Sequence, residues 1–249
     1  MSNVLSRRAW FGVAGASAAA AALSACGSST QTATTTTVTV PANIPITAES
    51  EKPTISGPDE ALDLLRQGNL RFTGSHMVHP DQGAETRLRV SKAQKPFAVV
   101  LSCSDSRLPP EVIFDQGLGD LFVVRVAGNI VEPAGLGSIE YAVGHFGTPL
   151  IVVLGHQNCG AVSATLEALQ PPFNAPHGAV ESLVTAITPA VAVAETRPGD
   201  LLQNAIVANI EQSRDQIKQS HELAKPLASG ALKVVTGYYG LEDGVVTLT

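Results

Sequence analysis

The feature that most constrains the fold is the alternation of short apolar runs with helical patterns. Apolar, β-branched runs predict strands at residues 97–103, 121–126, 150–154, 233–239 and 245–248. Between and around them, helical patterns occur at residues 58–72, 138–146, 161–169, 180–193 and 200–220. This alternation predicts an α/β fold, in which helices flank a mostly parallel sheet. The last run follows the turn Glu242-Asp243-Gly244, so we expect it to form an antiparallel edge strand.

Two details of this prediction concern helix starts and loops. Ser138 is the predicted N-terminal cap of the helix at residues 138–146, because its hydroxyl suits that position. Residues 76–86 are polar and lack an apolar period, so they are predicted to form a loop.

Two clusters of potential metal ligands follow predicted strands. Cys103 ends the first strand, and His156 and Cys159 follow the third. Ligands of open α/β sheets bind beyond the carboxyl ends of the strands, so neighbouring strands would bring the clusters into one crevice. Two thiolates and one imidazole are a ligand set of catalytic zinc, in which water takes the fourth position. The sequence therefore predicts a Zn²⁺ site with hydrolytic or hydrating activity.

Asp105 and Arg107 lie two and four residues after Cys103. The carboxylate of Asp105 has two options, which are a hydrogen bond to the zinc-bound hydroxide or direct occupation of the fourth zinc position. A bidentate Arg107 would favour the first option by holding the carboxylate off the metal. The alternative is a structural zinc with Asp105 as its fourth ligand. Because two thiolates make zinc less acidic, we expect hydrogen-bond donors near the ligands to offset their charge.

Composition excludes several other functions. The net charge is −6, aromatic residues make up 4% of the chain, and no basic patch is present, so a nucleic-acid partner is not expected. Of the three cysteines, Cys103 and Cys159 are assigned to the clusters and Cys26 to the amino-terminal segment. No pair is left for a structural disulfide.

The amino-terminal residues resemble an export signal. Arg7 and Arg8 precede an Ala-rich apolar stretch, as in a twin-arginine signal, here assigned to residues 1–25. The stretch ends in Leu23-Ser24-Ala25-Cys26, which resembles a lipobox, so Cys26 is the predicted site of lipidation. Cleavage without lipid, or an uncleaved anchor, is the alternative. The Ser/Thr/Pro-rich residues 26–56 are predicted to tether residues 57–249, the catalytic domain, to the outer side of the cytoplasmic membrane.

The two clusters together resemble the β-class carbonic anhydrases. The resemblance rests on Cys103-x-Asp105-x-Arg107, on His156-x-x-Cys159 about fifty residues later, and on the surrounding residues 121–129 and 150–162. It implies zinc on Cys103, His156 and Cys159, with an Asp105–Arg107 dyad. It also implies reversible hydration of carbon dioxide to bicarbonate and a proton by zinc-bound hydroxide, with Asp105 as a fourth ligand in a closed state.

The resemblance implies further features of the site and the assembly. Gln94 matches a family glutamine that donates a hydrogen bond to the substrate, and Val100 stands where members with a bicarbonate-linked switch carry tryptophan. Family members are homodimers or multiples of dimers, in which an N-terminal helical arm, here residues 58–72, lies over the partner. Two alternatives remain open: a hydrolase of carbonyl sulfide or carbon disulfide on the same scaffold, and a non-catalytic zinc-binding protein of the cell envelope.

Overall fold

The computed structural model describes residues 55–173 and 176–249. The predictions for the signal segment, for Cys26 and for residues 27–54 lie outside these residues. Within the described ranges, no helix combines the length and the apolar character that crossing a bilayer requires.

A single sheet forms the centre of the described chain. Its strands are β1 (Ala98–Ser102), β2 (Leu121–Arg125), β3 (Leu150–His156), β4 (Lys233–Tyr239) and β5 (Val246–Leu248). They lie in the order β2-β1-β3-β4-β5, with only the β4–β5 pair antiparallel. Strands β1 and β3 are buried along their whole length, because helices cover both faces of the sheet. The α/β fold, the parallel sheet and the antiparallel edge strand are therefore confirmed.

Eight helices and one 3-10 turn surround the sheet in the described residues. The helices are α1 (Pro58–Thr73), α2 (Ala84–Val90), α3 (Pro110–Ile113), α4 (Pro133–Phe146), α5 (Gly160–Ala168), α6 (Val180–Ala194), α7 (Leu201–Lys218) and α8 (His221–Ala228). The 3-10 turn covers Ala127–Asn129, between β2 and α4.

Three details differ from the sequence-based predictions. Helix α2 begins inside the predicted loop, and it was missed because Thr86 is its only buried residue and gives no apolar stripe. Helix α8 was missed because it contains Pro226, normally a helix breaker. Ser138 does not cap α4, which begins at Pro133; its hydroxyl instead donates to the carbonyl of Ala134 within the helix.

Helix α1, the predicted arm, packs against its own chain. Ala61 and Leu65 are fully buried in the core. The Asn69 amide donates to the carbonyls of Ile113 (3.0 Å) and Gly244 (2.9 Å), which ties the helix to α3 and to the turn before β5. The predicted helix is confirmed, and its contact with a second subunit stays a prediction.

Candidate metal centre

The three predicted ligands meet at the carboxyl ends of β1 and β3. Cys103 directly follows β1, His156 is the last residue of β3, and Cys159 lies immediately before α5. These strands are neighbours in the sheet, so their ends lie side by side. One ligand atom from each residue lies within 4.8 Å of the other two, and all three residues are buried.

The donor set and its spacing fit a zinc ion. Bonds of about 2.3 Å to sulfur and 2.0 Å to nitrogen place tetrahedral ligand atoms roughly 3.5–3.8 Å apart. The Nδ1 atom of His156 lies 2.9 Å from the carbonyl oxygen of Gln157, to which it must donate. That hydrogen bond fixes the tautomer and leaves the lone pair on Nε2, which is buried and has no hydrogen-bond partner among the described residues.

The thiols of Cys103 and Cys159 lie side by side, and their pKa values shift in opposite directions. The neighbouring Cys159 thiol lowers the pKa of Cys103, and His156 and the backbone N–H of Gly128 (3.3 Å) lower it further. Interaction with Cys103, together with burial, raises the pKa of Cys159. Burial alone would lower the pKa of His156, but the neighbouring Cys103 raises it overall. Cys103 is therefore the thiol that loses its proton more readily, and metal binding requires that deprotonated form.

Asp105 and Arg107 form a bidentate ion pair beside the ligands. Arg107 donates from Nε to Oδ1 (2.9 Å) and from Nη2 to Oδ2 (2.8 Å), and its backbone N–H also donates to Oδ1 (2.9 Å). The hydrogen bond from the Arg107 side chain holds the pKa of Asp105 well below its usual range. The Oδ2 atom lies 3.9 Å from His156 Nε2, so the ionised carboxylate borders the ligand cluster.

A second arginine, missed from the sequence, supports the same loop. Arg125 ends β2 and is paired in register with Ser102, the residue before Cys103. Its side chain donates from Nε to the carbonyl of Cys103 (3.0 Å) and from Nη2 to the carbonyl of Asp105. In the sequence, a charged residue at the end of an apolar strand was the sign that Arg125 has a specific role. Which residues it contacts could not be predicted, because that depends on β2 lying beside β1.

Comparisons with known proteins agree with this geometry. The carbonic anhydrase family model matches residues 98–246. A carbonic anhydrase of Mycolicibacterium smegmatis is 43% identical over 194 residues, which cover 78% of this chain and 94% of the relative. Carbonic anhydrase 2 of Mycobacterium tuberculosis is 39% identical over 197 residues, covering 78% and 93%. The chain belongs to the carbonic anhydrase family.

Solved structures show that the fold is that of the β-class of this family. A tetrameric β-carbonic anhydrase of Sordaria macrospora superposes with a TM-score of 0.58 at 24% identity, covering 65% of this chain and 84% of that one. The β-carbonic anhydrase of Coccomyxa gives a TM-score of 0.57 at 23% identity, covering 75% and 83%.

Gln94 does not join the ligands of its own chain in this carbonic anhydrase. It precedes β1 and lines a cleft of about 1080 Å³, together with Phe97 and Phe146. The cleft lies at the amino ends of the strands, whereas Cys103 lies at the carboxyl end of β1, a strand of five residues that spans about 16 Å. Substrate binding by Gln94 stays a prediction.

Proposed function

We propose that the chain is a zinc enzyme that hydrates carbon dioxide reversibly to bicarbonate and a proton. The observation that carries the proposal is the convergence of Cys103, His156 and Cys159 on one point, with the Asp105–Arg107 pair beside it. The relatives at 43% and 39% identity, which are carbonic anhydrases by name, support the same reaction.

In this proposal each side chain has a separate role. Cys103, His156 and Cys159 would hold the zinc, which would supply a Lewis acid that lowers the pKa of a water at the site. Asp105 stays ionised at neutral pH because Arg107 lowers its pKa, so the carboxylate is too weak a base to remove the proton of the attacking water. It would instead accept a hydrogen bond from that nucleophile and orient its lone pair toward the carbon of the substrate, while the proton that the water loses would pass to solvent.

Stopped-flow hydration assays of the full chain loaded with zinc test this function. We expect rapid hydration between about pH 7 and pH 9, the range in which zinc-coordinated water ionises. Cys159→Ser should lose both the metal and the activity, while Ser163→Ala, on the surface of the adjoining helix α5, should keep both. A zinc-loaded wild type that is no faster than buffer would refute the enzymatic function. Carbonyl sulfide and carbon disulfide in the same assay test the alternative substrates.

We also propose that residues 1–25 direct export by the twin-arginine route and that Cys26 carries a lipid. Arg7, Arg8, the Ala-rich stretch and the sequence Leu23-Ser24-Ala25-Cys26 support this proposal. Replacement of both arginines by lysine should keep the chain in the cytoplasm. The mass of the mature amino terminus should show a diacylglycerol adduct that Cys26→Ser lacks. Export of the double lysine variant would contradict the twin-arginine route, and an unmodified Cys26 would contradict lipidation.

A further proposal is that the enzyme is a homodimer or a multiple of one. The edge strand β2 is only half-buried although it carries Phe122 and Val124, and Tyr141 on the neighbouring helix α4 is 52% exposed. The ring centroids of Phe122 and Tyr141 lie 6.4 Å apart, so the two side chains form one apolar surface. The tetrameric Sordaria enzyme supports an assembly. Light scattering of the wild type should give the mass of a dimer or a larger assembly. Tyr141→Glu should weaken this assembly, whereas Val193→Glu, at an exposed position on α6, should not. A monomeric wild type would refute the proposal.

A further inference from the structure

A strained turn lies directly beside the ligand Cys103. Gly128 and Asn129 are consecutive residues with left-handed backbone, at φ 73° and 44°. This conformation costs about 1 kcal/mol or more for a residue with a side chain, even though asparagine tolerates it better than most. In this conformation the backbone N–H of Gly128 points at the sulfur of Cys103, 3.3 Å away. Contacts from outside the turn must therefore hold it in place.

Two buried polar side chains of α7 make those contacts. Asn209 donates from Nδ2 to the carbonyl of Gly128 (2.7 Å), and Ser213 donates from Oγ to the carbonyl of Asn129 (3.0 Å). They are four residues apart, so they lie on one face of the helix, and at most 1% of either residue is exposed. The hydrogen bonds thus reach both carbonyls of the turn from a rigid helix.

The rest of this helix face is apolar, as expected for a helix that covers a sheet. Its other buried residues are mainly aliphatic, namely Ala205, Ile206, Ala208, Ile210 and Ile217. Placing an amide and a hydroxyl there costs solvation free energy that their hydrogen bonds recover only in part, since Asn209 Oδ1 has no hydrogen-bond partner among the described residues. The far side of the turn is closed as well, because a Cβ on Gly128 would lie 2.8 Å from Ile187 Cδ1. The turn is therefore fixed from both sides.

We propose that Asn209 and Ser213 are positioning residues that aim the Gly128 N–H at the Cys103 thiolate. A hydrogen bond to a ligand sulfur withdraws electron density from it, so less negative charge reaches a bound metal. Two thiolate ligands donate much negative charge to a metal, and this hydrogen bond would reduce that donation and so keep the metal a stronger Lewis acid. The inference rests on the proposed metal site, and it assigns to α7 the role of positioning a hydrogen-bond donor to one of the ligands.

Cobalt substitution tests the proposal without relying on activity. In the full chain loaded with Co²⁺, thiolate ligands give sulfur-to-cobalt charge-transfer absorption, and its energy falls when a hydrogen bond to the sulfur is lost. We expect Asn209→Leu to move this absorption to longer wavelength and Ser213→Ala to move it less. Asn204→Leu is the matched control, because Asn204 lies on the same helix and also donates to backbone carbonyls, those of Arg197 and Pro198. Its spectrum should equal that of the wild type.

The outcomes separate this inference from the metal site itself. If a folded Asn209→Leu protein keeps the wild-type absorption, the positioning role is refuted, and any loss of stability is then purely structural. If Asn209→Leu fails to fold, Ser213→Ala decides, since it removes only one hydroxyl. A wild type that shows no thiolate absorption with Co²⁺ would refute the metal site, whereas thiolate bands that no variant shifts would refute only the role of α7.

Discussion

Arg107 binds both carboxylate oxygens of Asp105 while Asp105 Oδ2 stays 3.9 Å from His156 Nε2. The carboxylate is thus held at the border of the ligand cluster by a planar guanidinium, whose geometry matches it in two places. The bidentate pair is the geometry expected for the first of the two options that the sequence left open for Asp105, a hydrogen bond rather than a fourth bond to the metal, and both options stay predictions.

The first prediction concerns this pair. Arg107→Lys keeps the positive charge but cannot form two parallel hydrogen bonds, so Asp105 loses its orientation. We expect kcat/KM for hydration to fall about 100-fold, the order of a mispositioned acid–base group. The matched control is Arg66→Lys, whose guanidinium pairs with Asp63 at 3.2 Å on the exposed face of α1. Stopped-flow kinetics measure both, and an Arg107→Lys enzyme as active as the control would contradict the role of the bidentate pair.

The second prediction concerns Arg125. Its side chain donates to the carbonyls of Cys103 and Asp105, so Arg125→Gln should loosen the loop that carries a metal ligand. Loss of a residue that supports a ligand commonly weakens metal affinity about 10- to 100-fold. Competition with a chelator measures the affinity. Arg214→Gln serves as control, because Arg214 pairs with its neighbour Asp215 at the surface, away from the ligands. Equal zinc affinities in the two variants would argue against the role of Arg125.

The third prediction concerns Asp115, a buried carboxylate far from the ligands. Burial tends to raise its pKa, but the guanidinium of Arg71 (2.6 Å) and the backbone N–H groups of Val78 and His79 lower it overall. A lowered pKa in the folded state means that this carboxylate stabilises the fold above its unfolded pKa, about 3.9. The contribution is lost as the pH falls from there through the folded pKa.

Asp115→Asn should therefore destabilise the protein at pH 7, by about 3 kcal/mol for a broken buried ion pair. As the pH falls below about 4, the difference from wild type should shrink progressively, because the stabilisation by this carboxylate is lost between its unfolded and its folded pKa. Denaturant unfolding at several pH values measures this. Asp215→Asn, in the exposed pair with Arg214, should cost at most about 1 kcal/mol. A loss for Asp115→Asn that does not change with pH would show that its charge is unimportant.

The fourth prediction concerns Gly155, the residue before the ligand His156. A Cβ at this position would lie 2.5 Å from two side-chain carbon atoms of Ile210, so Gly155→Ala must displace that buried side chain, or α7 or β3 with it. We expect a loss of about 1–3 kcal/mol in the free energy of unfolding and weaker zinc retention. Gly144→Ala, on the exposed face of α4 where a Cβ meets nothing, should gain roughly 0.5–1 kcal/mol. Unfolding and metal analysis of both variants check this, and a Gly155→Ala protein as stable as wild type would disprove the close contact.

The main elements of the fold and the ligand residues could be predicted because their signals are local. The runs that became β1 and β3 are continuously apolar, since both faces of those strands are buried. The clusters that follow them carry potential metal-ligand side chains at the carboxyl ends of the strands, where parallel sheets bind their ligands. Helices α2 and α8 were not predicted, because each has one buried residue, Thr86 and Leu223, which is too few for a period, and α8 also contains Pro226.

The sequence by itself determined the strand-and-helix alternation, the identities of the ligands and the Asp105–Arg107 spacing, because short-range pattern and side-chain chemistry encode all three. Only the tertiary structure decided how that site is supported and where Gln94 lies. Arg125 reaches Cys103 because β2 is the neighbour of β1, and Asn209 reaches Gly128 across 81 residues because α7 packs over the ends of the strands. Such contacts depend on the order of strands and on the packing of a helix against a sheet, and no local pattern specifies either.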